Sequence, residues 1–373
     1  MKKIFIITGE YSGSMHATKV VECLKSQYPD IQIEGIGDSS LEKAGVKLFE
    51  NHSKMSAMGL TPKILIDHIF LGKRVVDYIT KEYKPDLVLL IDYGAFNLNV
   101  SKFLKRNGIK TFYYIPPQVW ASRKWRINVI KKNIDKVLCI FPFEVDLYKN
   151  MGIDTHYCGH PLVKQLPEKA NKDEFFEKHN LDKNKKLVSI FPGSREFELH
   201  FLMKLFIKSA KLLQKKYPDL QFIISHAPNL SDKVYDKYLK GDNTFKVIKG
   251  ENQALLSVSD ALILASGTVA LEATLYNVPM IVSYRGPLLF FLIFLLVKCT
   301  KLISLPNIIL GRKVVPEILQ YCATPKNISN EIEKLLFNEE YRQKHIEGLS
   351  EVKELLSDKY SAQEVAGTII KNI

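Results

Sequence analysis

One stretch of this chain leaves little freedom in how it folds. Ile263-Leu-Ala-Ser-Gly-Thr-Val-Ala-Leu-Glu-Ala-Thr-Leu-Tyr-Asn-Val-Pro-Met-Ile-Val-Ser-Tyr284 reads as strand, tight turn, helix and strand with almost no spare residues. Ala261 to Ala265 is a short apolar run of the kind buried within a parallel sheet. Ser266, Gly267 and Thr268 turn the chain, and the helix that follows begins with its first N–H groups unpaired at the carboxyl end of that strand. Such a place attracts an anion. Glycine permits close approach of a phosphate to the backbone, and the two hydroxyls add donors without charge. Glu272, about one turn into the helix, is placed to accept hydrogen bonds from sugar hydroxyls beside that phosphate. The set suits a nucleotide-sugar diphosphate, although Ser-Gly-Thr by itself also reads as a plain turn and helix cap.

With 373 residues the chain exceeds the ~250–300 at which single cores stop growing, so two domains are expected. A net charge of +13, from 53 Lys and Arg against 40 Asp and Glu, is spread along the chain and favours an anionic partner. Nucleic acid, anionic lipid and a phosphorylated substrate all qualify by charge. No nucleic-acid motif accompanies the surplus, which argues against the first. Cys23, Cys139, Cys158, Cys299 and Cys322 are odd in number and contain no C-x-x-C pair, so neither a disulfide framework nor a zinc site is indicated. A reducing cytoplasm fits. The apolar run near the N-terminus stops after four residues and reads as a strand rather than a leader. Leu288–Val297, the most apolar segment, falls short of the ~18–20 residues of a spanning helix. Flanked by Arg285, Lys298 and Lys301, a run with no polar face reads by itself as buried core, and substrates carrying acyl chains would turn that reading into a dip into an anionic membrane interface.

Strand and helix alternate in both halves. Ile4–Thr8, Gln32–Gly37, Asp86–Asp92, Lys110–Ile115 and Lys136–Phe141 read as strands of a first doubly wound sheet. Glu10 to His16 reads as a polar, glycine-containing turn into a helix near Ala17–Gln27. Between Leu162 and Lys186 the composition shifts to charged and polar residues, which sets the predicted division at 1–163 and 164–373. Lys186–Phe191, ending in Pro192-Gly-Ser-Arg-Glu196, restarts the alternation, and Leu220–Ser225, Phe245–Ile248, Ala261–Ala265 and Pro279–Tyr284 follow as strands. From about Pro316 onward the pattern is helical. Loops at the strand ends carry the polar residues, and in such sheets those ends build the site.

Nine motifs then fall in a recognisable order: Gly9-Glu-Tyr-Ser-Gly13, Ile115-Pro-Pro-Gln-Val-Trp-Ala121, Phe141-Pro-Phe-Glu144, Cys158-Gly-His-Pro-Leu162, Phe191-Pro-Gly-Ser-Arg195, Ala265-Ser-Gly-Thr-Val-Ala-Leu-Glu272, Pro279-Met-Ile-Val-Ser-Tyr-Arg285, Ser304-Leu-Pro-Asn307 and Pro316-Glu-Ile-Leu-Gln320. As a set, over nearly the whole chain, they resemble the lipid-A-disaccharide synthases. The resemblance implies a GT-B type α/β fold, two Rossmann-like doubly wound domains facing across a cleft, with the acceptor on the N-terminal domain and the UDP-sugar on the C-terminal one. It implies an inverting transferase that joins UDP-2,3-diacylglucosamine to 2,3-diacylglucosamine 1-phosphate without metal or other cofactor. It also implies a cytoplasmic protein peripherally associated with the anionic inner membrane, leaving a homodimer open.

The resemblance assigns the nucleotide to Gly193, Ser194, Arg195, Ser266, Gly267, Thr268, Glu272, Asn307 and Gln320. Arg195 closes a loop after a strand, where a guanidinium pairs bidentately with a diphosphate. Asn307, in a Leu-Pro-Asn turn, also reads as a residue satisfying its own backbone. Two positions depart from the family pattern. Ser14 stands where the first loop usually carries Asp, and Ala95 where Asp-x-Pro-Asp-Phe-Asn carries its second Asp. An attacking sugar hydroxyl needs a carboxylate or imidazole to take its proton, so the catalytic candidates become Asp92, Glu10 and His16. Three readings follow: a working synthase with a relocated base, a paralogue with altered acceptor or reaction such as a UDP-sugar epimerase, or a UDP-lipid-binding protein without catalysis. The retained donor motifs favour the first.

Overall fold

The structure, a computed structural model, describes residues 1–52, 62–242, 244–287, 300–357 and 359–373. The Leu288–Val297 segment therefore lies outside the described residues. Two units divide the chain, Met1–Pro161 with Leu356–Ile373, and Leu162–Leu355.

The first unit is built on seven strands: β1 (Lys3–Ile7), β2 (Gln32–Gly37), β3 (Lys47–Asn51), β4 (Leu87–Ile91), β5 (Thr111–Tyr114), β6 (Lys136–Cys139) and β7 (Thr155–Tyr157). They lie in the order β3-β2-β1-β4-β5-β6-β7, every pairing parallel. Helices cover both faces of such a sheet, so its central strands are apolar throughout. All five residues of β4 are buried. Among the helices are α1 (Tyr11–Gln27), α2 (Pro62–Asp77), α3 (Gly94–Arg106) and α4 (Pro142–Lys149). Glu10 to His16 is thus not a turn before the helix. Helix α1 begins at Tyr11 and takes Gly13 into its first turn.

The second unit repeats the plan with β8 (Lys186–Phe191), β9 (Leu220–His226), β10 (Phe245–Lys249), β11 (Ala261–Ala265), β12 (Met280–Tyr284) and β13 (Glu317–Leu319), in the order β10-β9-β8-β11-β12-β13. Its strands alternate between two cores. Ala261, Ile263 and Ala265 join one with Phe206 of α5 (Glu196–Lys216), while Leu262 and Leu264 join the other with Leu255 of α6 (Asn252–Val258). Helix α7 (Val269–Leu275) connects β11 to β12, and α8 (Leu305–Leu310), α9 (Pro325–Phe337) and α10 (Glu339–Ser357) follow later in the chain. Three strands escaped the sequence reading: β3, β7 and β13. Each is an edge strand, and the last two have three residues apiece.

Sequence alone assigns the last helix to the second domain, and the structure returns it to the first. Helix α11 (Ser361–Ile370) packs against α1. Tyr114 and Ser361 hydroxyls lie 2.7 Å apart, and His156 Nε2 meets Glu364 Oε2 at 2.9 Å. Val365, Ala366 and Ile369 are fully buried. A helix with one apolar face goes wherever that face is covered, and chain order does not decide this.

Both sheets reverse their strand order at one point, between β1 and β4 in the first and between β8 and β11 in the second. Connections leave these neighbours in opposite directions, which opens a crevice at their carboxyl ends. Several of the candidate residues follow this rule: Glu10 and Asp92 follow β1 and β4, and Arg195 and Ser266 follow β8 and β11.

Candidate active site

At the second reversal, Gly193, Ser194, Arg195, Ser266, Gly267, Thr268 and Glu272 line one pocket of about 360 Å³, together with Ser225 and Asn252. The turn after β11 is fixed by Ser266 N–H donating to Ser283 O at 3.2 Å, and the first helical bonds run to the carbonyls of Gly267 and Thr268. The amides of Gly267 and Thr268 themselves have no acceptor among the described residues. A Cβ at Gly267 would meet no protein atom within 4 Å. Sterics inside the protein therefore do not demand glycine here, and the space above it belongs to whatever enters the pocket. Because α7 has seven residues, these open first-turn donors matter more than its dipole. Glu272 is held above the usual carboxylate range by burial.

The loop after β8 is ordered by Glu198 in the first turn of α5. Its Oε2 accepts from the amides of Ser194 at 2.8 Å and Arg195 at 3.2 Å, and its Oε1 pairs with Arg195 Nη1 at 3.1 Å. A capping box thus aims the arginine. Gly193 has φ of 119°, a conformation side chains resist. Ser225 Oγ donates to Asn252 Oδ1 at 2.7 Å and closes the far wall. Glu198, Ser225 and Asn252 were not among the sequence candidates. Only Glu198 carried a signal, as the acid three residues into a helix start.

At the first reversal, Asp92 and Tyr93 both adopt left-handed backbone, with φ of 48° and 52°. Such strain persists only where neighbours enforce it. Tyr113 Oη donates to the Asp92 carbonyl at 2.7 Å, Asn97 Nδ2 donates to it at 2.9 Å, and the Tyr93 ring lies on Gly9 where any Cβ would overlap it. Asp92 is half-buried, and its carboxyl is raised above the usual range, first by burial and then by the negative charge of Glu10. Glu10 itself is exposed. His16 lies half-buried on α1, where burial lowers it to about 4, and it acts on His160, which burial and then His16 lower to about 3. Of the three base candidates, the structure therefore couples Asp92 with Glu10 and sets His16 beside a second neutral imidazole.

The profile of the lipid-A-disaccharide synthetase family matches residues 4–370. A lipid-A-disaccharide synthase of Coxiella burnetii (strain CbuG_Q212) is 35% identical over 370 residues, covering 99% of this chain and 98% of its own length. One from Myxococcus xanthus (strain DK1622) is 32% identical over 371 residues, covering 99% and 97%. The chain belongs to the lipid-A-disaccharide synthetase family. A UDP-GlcNAc 2-epimerase from Neisseria meningitidis, solved bound to UDP-GlcNAc, superposes with a TM-score of 0.66 at 14% identity, covering all of both chains. At that identity the likeness speaks for the fold alone. The fold is of the GT-B type, with two Rossmann-like units.

Two residues that the family pattern puts near the nucleotide lie outside the pocket at the second reversal. Asn307 is fully buried in α8. Its Nδ2 donates to Val315 O and to Glu317 Oε1, both at 2.8 Å, while its Oδ1 accepts from the amides of Val314 and Val315. All four bonding positions are consumed, so Asn307 clasps the chain before β13 and has nothing left to offer a nucleotide. Gln320 follows β13 and lines a different cavity. The two departures from the pattern also have places. Ser14 is fully buried, its Oγ 2.8 Å from His52 Nε2 and 2.9 Å from Thr8 Oγ1, a neutral trio pinning α1 to β1. Ala95 is exposed in the first turn of α3.

Proposed function

We propose that this family member is an inverting hexosyltransferase joining UDP-2,3-diacylglucosamine to 2,3-diacylglucosamine 1-phosphate, giving the lipid A disaccharide and UDP. The observation that carries the reading is the convergence of Arg195, the Ser266-Gly267-Thr268 turn and Glu272 on one pocket. In the proposed step an acceptor hydroxyl oxygen bonds to the anomeric carbon while the bond from that carbon to the UDP oxygen breaks. Asp92 takes the hydroxyl proton, and its raised basicity suits a general base. Charge developing on the departing diphosphate is assigned to the Arg195 guanidinium and to the open amides and hydroxyls of the turn. No metal ion or cofactor enters this proposal. Glu272 is assigned to the ribose hydroxyls.

Both proposed substrates carry acyl chains, so the protein has to meet a bilayer. Helix α2 presents Ile66, Ile69 and Phe70 to solvent, all more than half exposed, at spacings that share one helical face. With the basic surplus they support peripheral attachment to an anionic inner-membrane surface on the cytoplasmic side. Among the described residues no helix is long and apolar enough to cross a membrane. The test is incubation of purified protein with both substrates. Disaccharide and UDP forming in equal amounts is expected. An epimerised donor appearing without acceptor would transfer the reading to the epimerase alternative, and no product of either kind would leave only the binding-protein reading.

A further inference from the structure

Helix α5 carries His200, Lys204 and Lys208 at four-residue spacing, hence on one face. Beyond the β12 and β13 edge of the second sheet this face meets Arg285, Gly286 and Pro287 leaving β12, and Gln320 and Tyr321 leaving β13. Together they enclose a cavity of about 520 Å³ that shares no lining residue with the pocket at the β8–β11 reversal. Among the described residues no carboxylate lines it. On α5, Lys211 pairs with Asp242 and Lys216 with Glu333, whereas Lys204, Lys208 and, beyond the cavity, Lys215 have no ion-pair partner among the described residues, nor has Arg285. Three cations facing one space repel each other unless an anion joins them.

A second observation points the same way. Gln320 is only 9% exposed and has φ of 48°, a left-handed conformation held at a cost. Its Oε1 accepts from the Gly286 amide at 3.4 Å, which fixes which end of the side chain is oxygen. The Nε2 end has no acceptor among the described residues. Buried amide groups almost always find a partner, and an orphan one beside unpaired cations marks a missing acceptor.

We propose that this cavity is a second anion site, one that binds a phosphate ester. Lys204, Lys208 and Arg285 supply charge, Gln320 Nε2 donates to a phosphoryl oxygen, and the remaining volume holds the esterified group against Tyr321 and Phe201. Phosphate suits the set because its oxygens diverge toward donors arriving from three separate chain segments. The choice of probes rests on the function proposed above. A glycosyl 1-phosphate occurs in the acceptor, and a phosphodiester headgroup occurs in the bilayer.

The experiment titrates the full chain with glucosamine 1-phosphate, inorganic phosphate and UDP, and sediments it with phosphatidylglycerol or phosphatidylcholine vesicles. Wild type is compared with Lys204→Gln/Lys208→Gln and with Gln320→Leu. Expected is a roughly tenfold or greater loss of glucosamine 1-phosphate or phosphatidylglycerol binding in both variants, with UDP affinity unchanged in the lysine double variant. Loss confined to the soluble sugar phosphate assigns the site to the acceptor, and loss confined to the vesicles assigns it to a headgroup. If the double variant binds glucosamine 1-phosphate and phosphatidylglycerol as wild type does, the proposal is overturned. Failure of wild type to bind UDP would sink the donor pocket while leaving this site standing.

Discussion

At the first sheet's reversal the strand ends carry Glu10 and Asp92, and α1, which starts there, carries half-buried His16, which acts on buried His160. The second sheet's reversal carries Arg195, two hydroxyls and an open glycine. The strand order around both points is the same. Topology therefore supplies the place, a crevice at the carboxyl ends of parallel strands, and four or five loop residues decide whether it handles a proton or a phosphate. The first place raises a carboxyl by burial and a like charge, which favours accepting a proton. The second leaves N–H groups and a guanidinium available, which favours holding an anion.

The largest expected effect separates these two jobs. Asp92→Asn keeps the shape and removes the base, so transfer should fall by on the order of 10²–10⁴-fold, while UDP titrates as before. Glu10→Gln and His16→Ala run beside it as controls. Full activity in all three would mean that proton transfer does not belong to the first sheet. Activity appearing only on Ala95→Asp would identify the present chain as an inactive relative.

The mirror experiment strikes the second sheet. Arg195→Lys keeps the charge and loses the planar fork, and UDP binding should weaken by about 1.5–3 kcal/mol, the range for a charge-assisted hydrogen bond. Calorimetry with UDP reads it directly. An unchanged affinity would leave the turn after β11 as the anion site by itself.

Much of this contrast was legible in the sequence, because strands buried on both faces are continuous apolar runs and the polar loops sit at fixed places after them. Ser266–Thr268 and Pro192–Arg195 were readable for that reason. Three things were not. Helix α11 crosses back to the first unit, where Ser361 meets Tyr114 of β5, a contact spanning 247 positions that no local pattern encodes. Asn307 reads both as a ligand position of the family motif and as a residue satisfying backbone, a choice local sequence does not make, and its partners are backbone groups at Val314 and Val315 and the Glu317 carboxylate. The Ser14, Thr8 and His52 trio depends on which side of α1 faces β1.

Asn307 gives the third prediction. Asn307→Ala takes the side-chain partner from the Val314 and Val315 amides and one of its bonds from Glu317, which keeps Ile303 and Ser304, so stability should drop by roughly 1–3 kcal/mol in a denaturant or thermal melt. Below the melt, UDP affinity should hold. A variant that melts normally but loses UDP would return Asn307 to the nucleotide and weaken the contrast between a clean anion pocket and its scaffold.

The smallest effect tests how the first sheet tunes its base. A base works only when ionised, so the rate should fall as pH drops through the Asp92 pKa, and that limb should lie above the ordinary aspartate range because burial and then Glu10 raise it. Removing the negative charge with Glu10→Gln deletes the second cause and leaves burial intact. The limb should then move to lower pH but stay elevated, and the shift should shrink in high salt because Glu10 is exposed and its field is screened. The same raised pKa has a stability consequence of definite sign. The native state holds the Asp92 proton to higher pH than the unfolded chain, so this group's contribution to stability is present below its unfolded pKa and is lost as pH rises through its folded one. A pH–rate profile of kcat/KM for wild type and Glu10→Gln reads the kinetic half. A limb that does not move would show that burial by itself sets the base, and a limb moving upward would reverse the sign of the coupling between these two carboxylates.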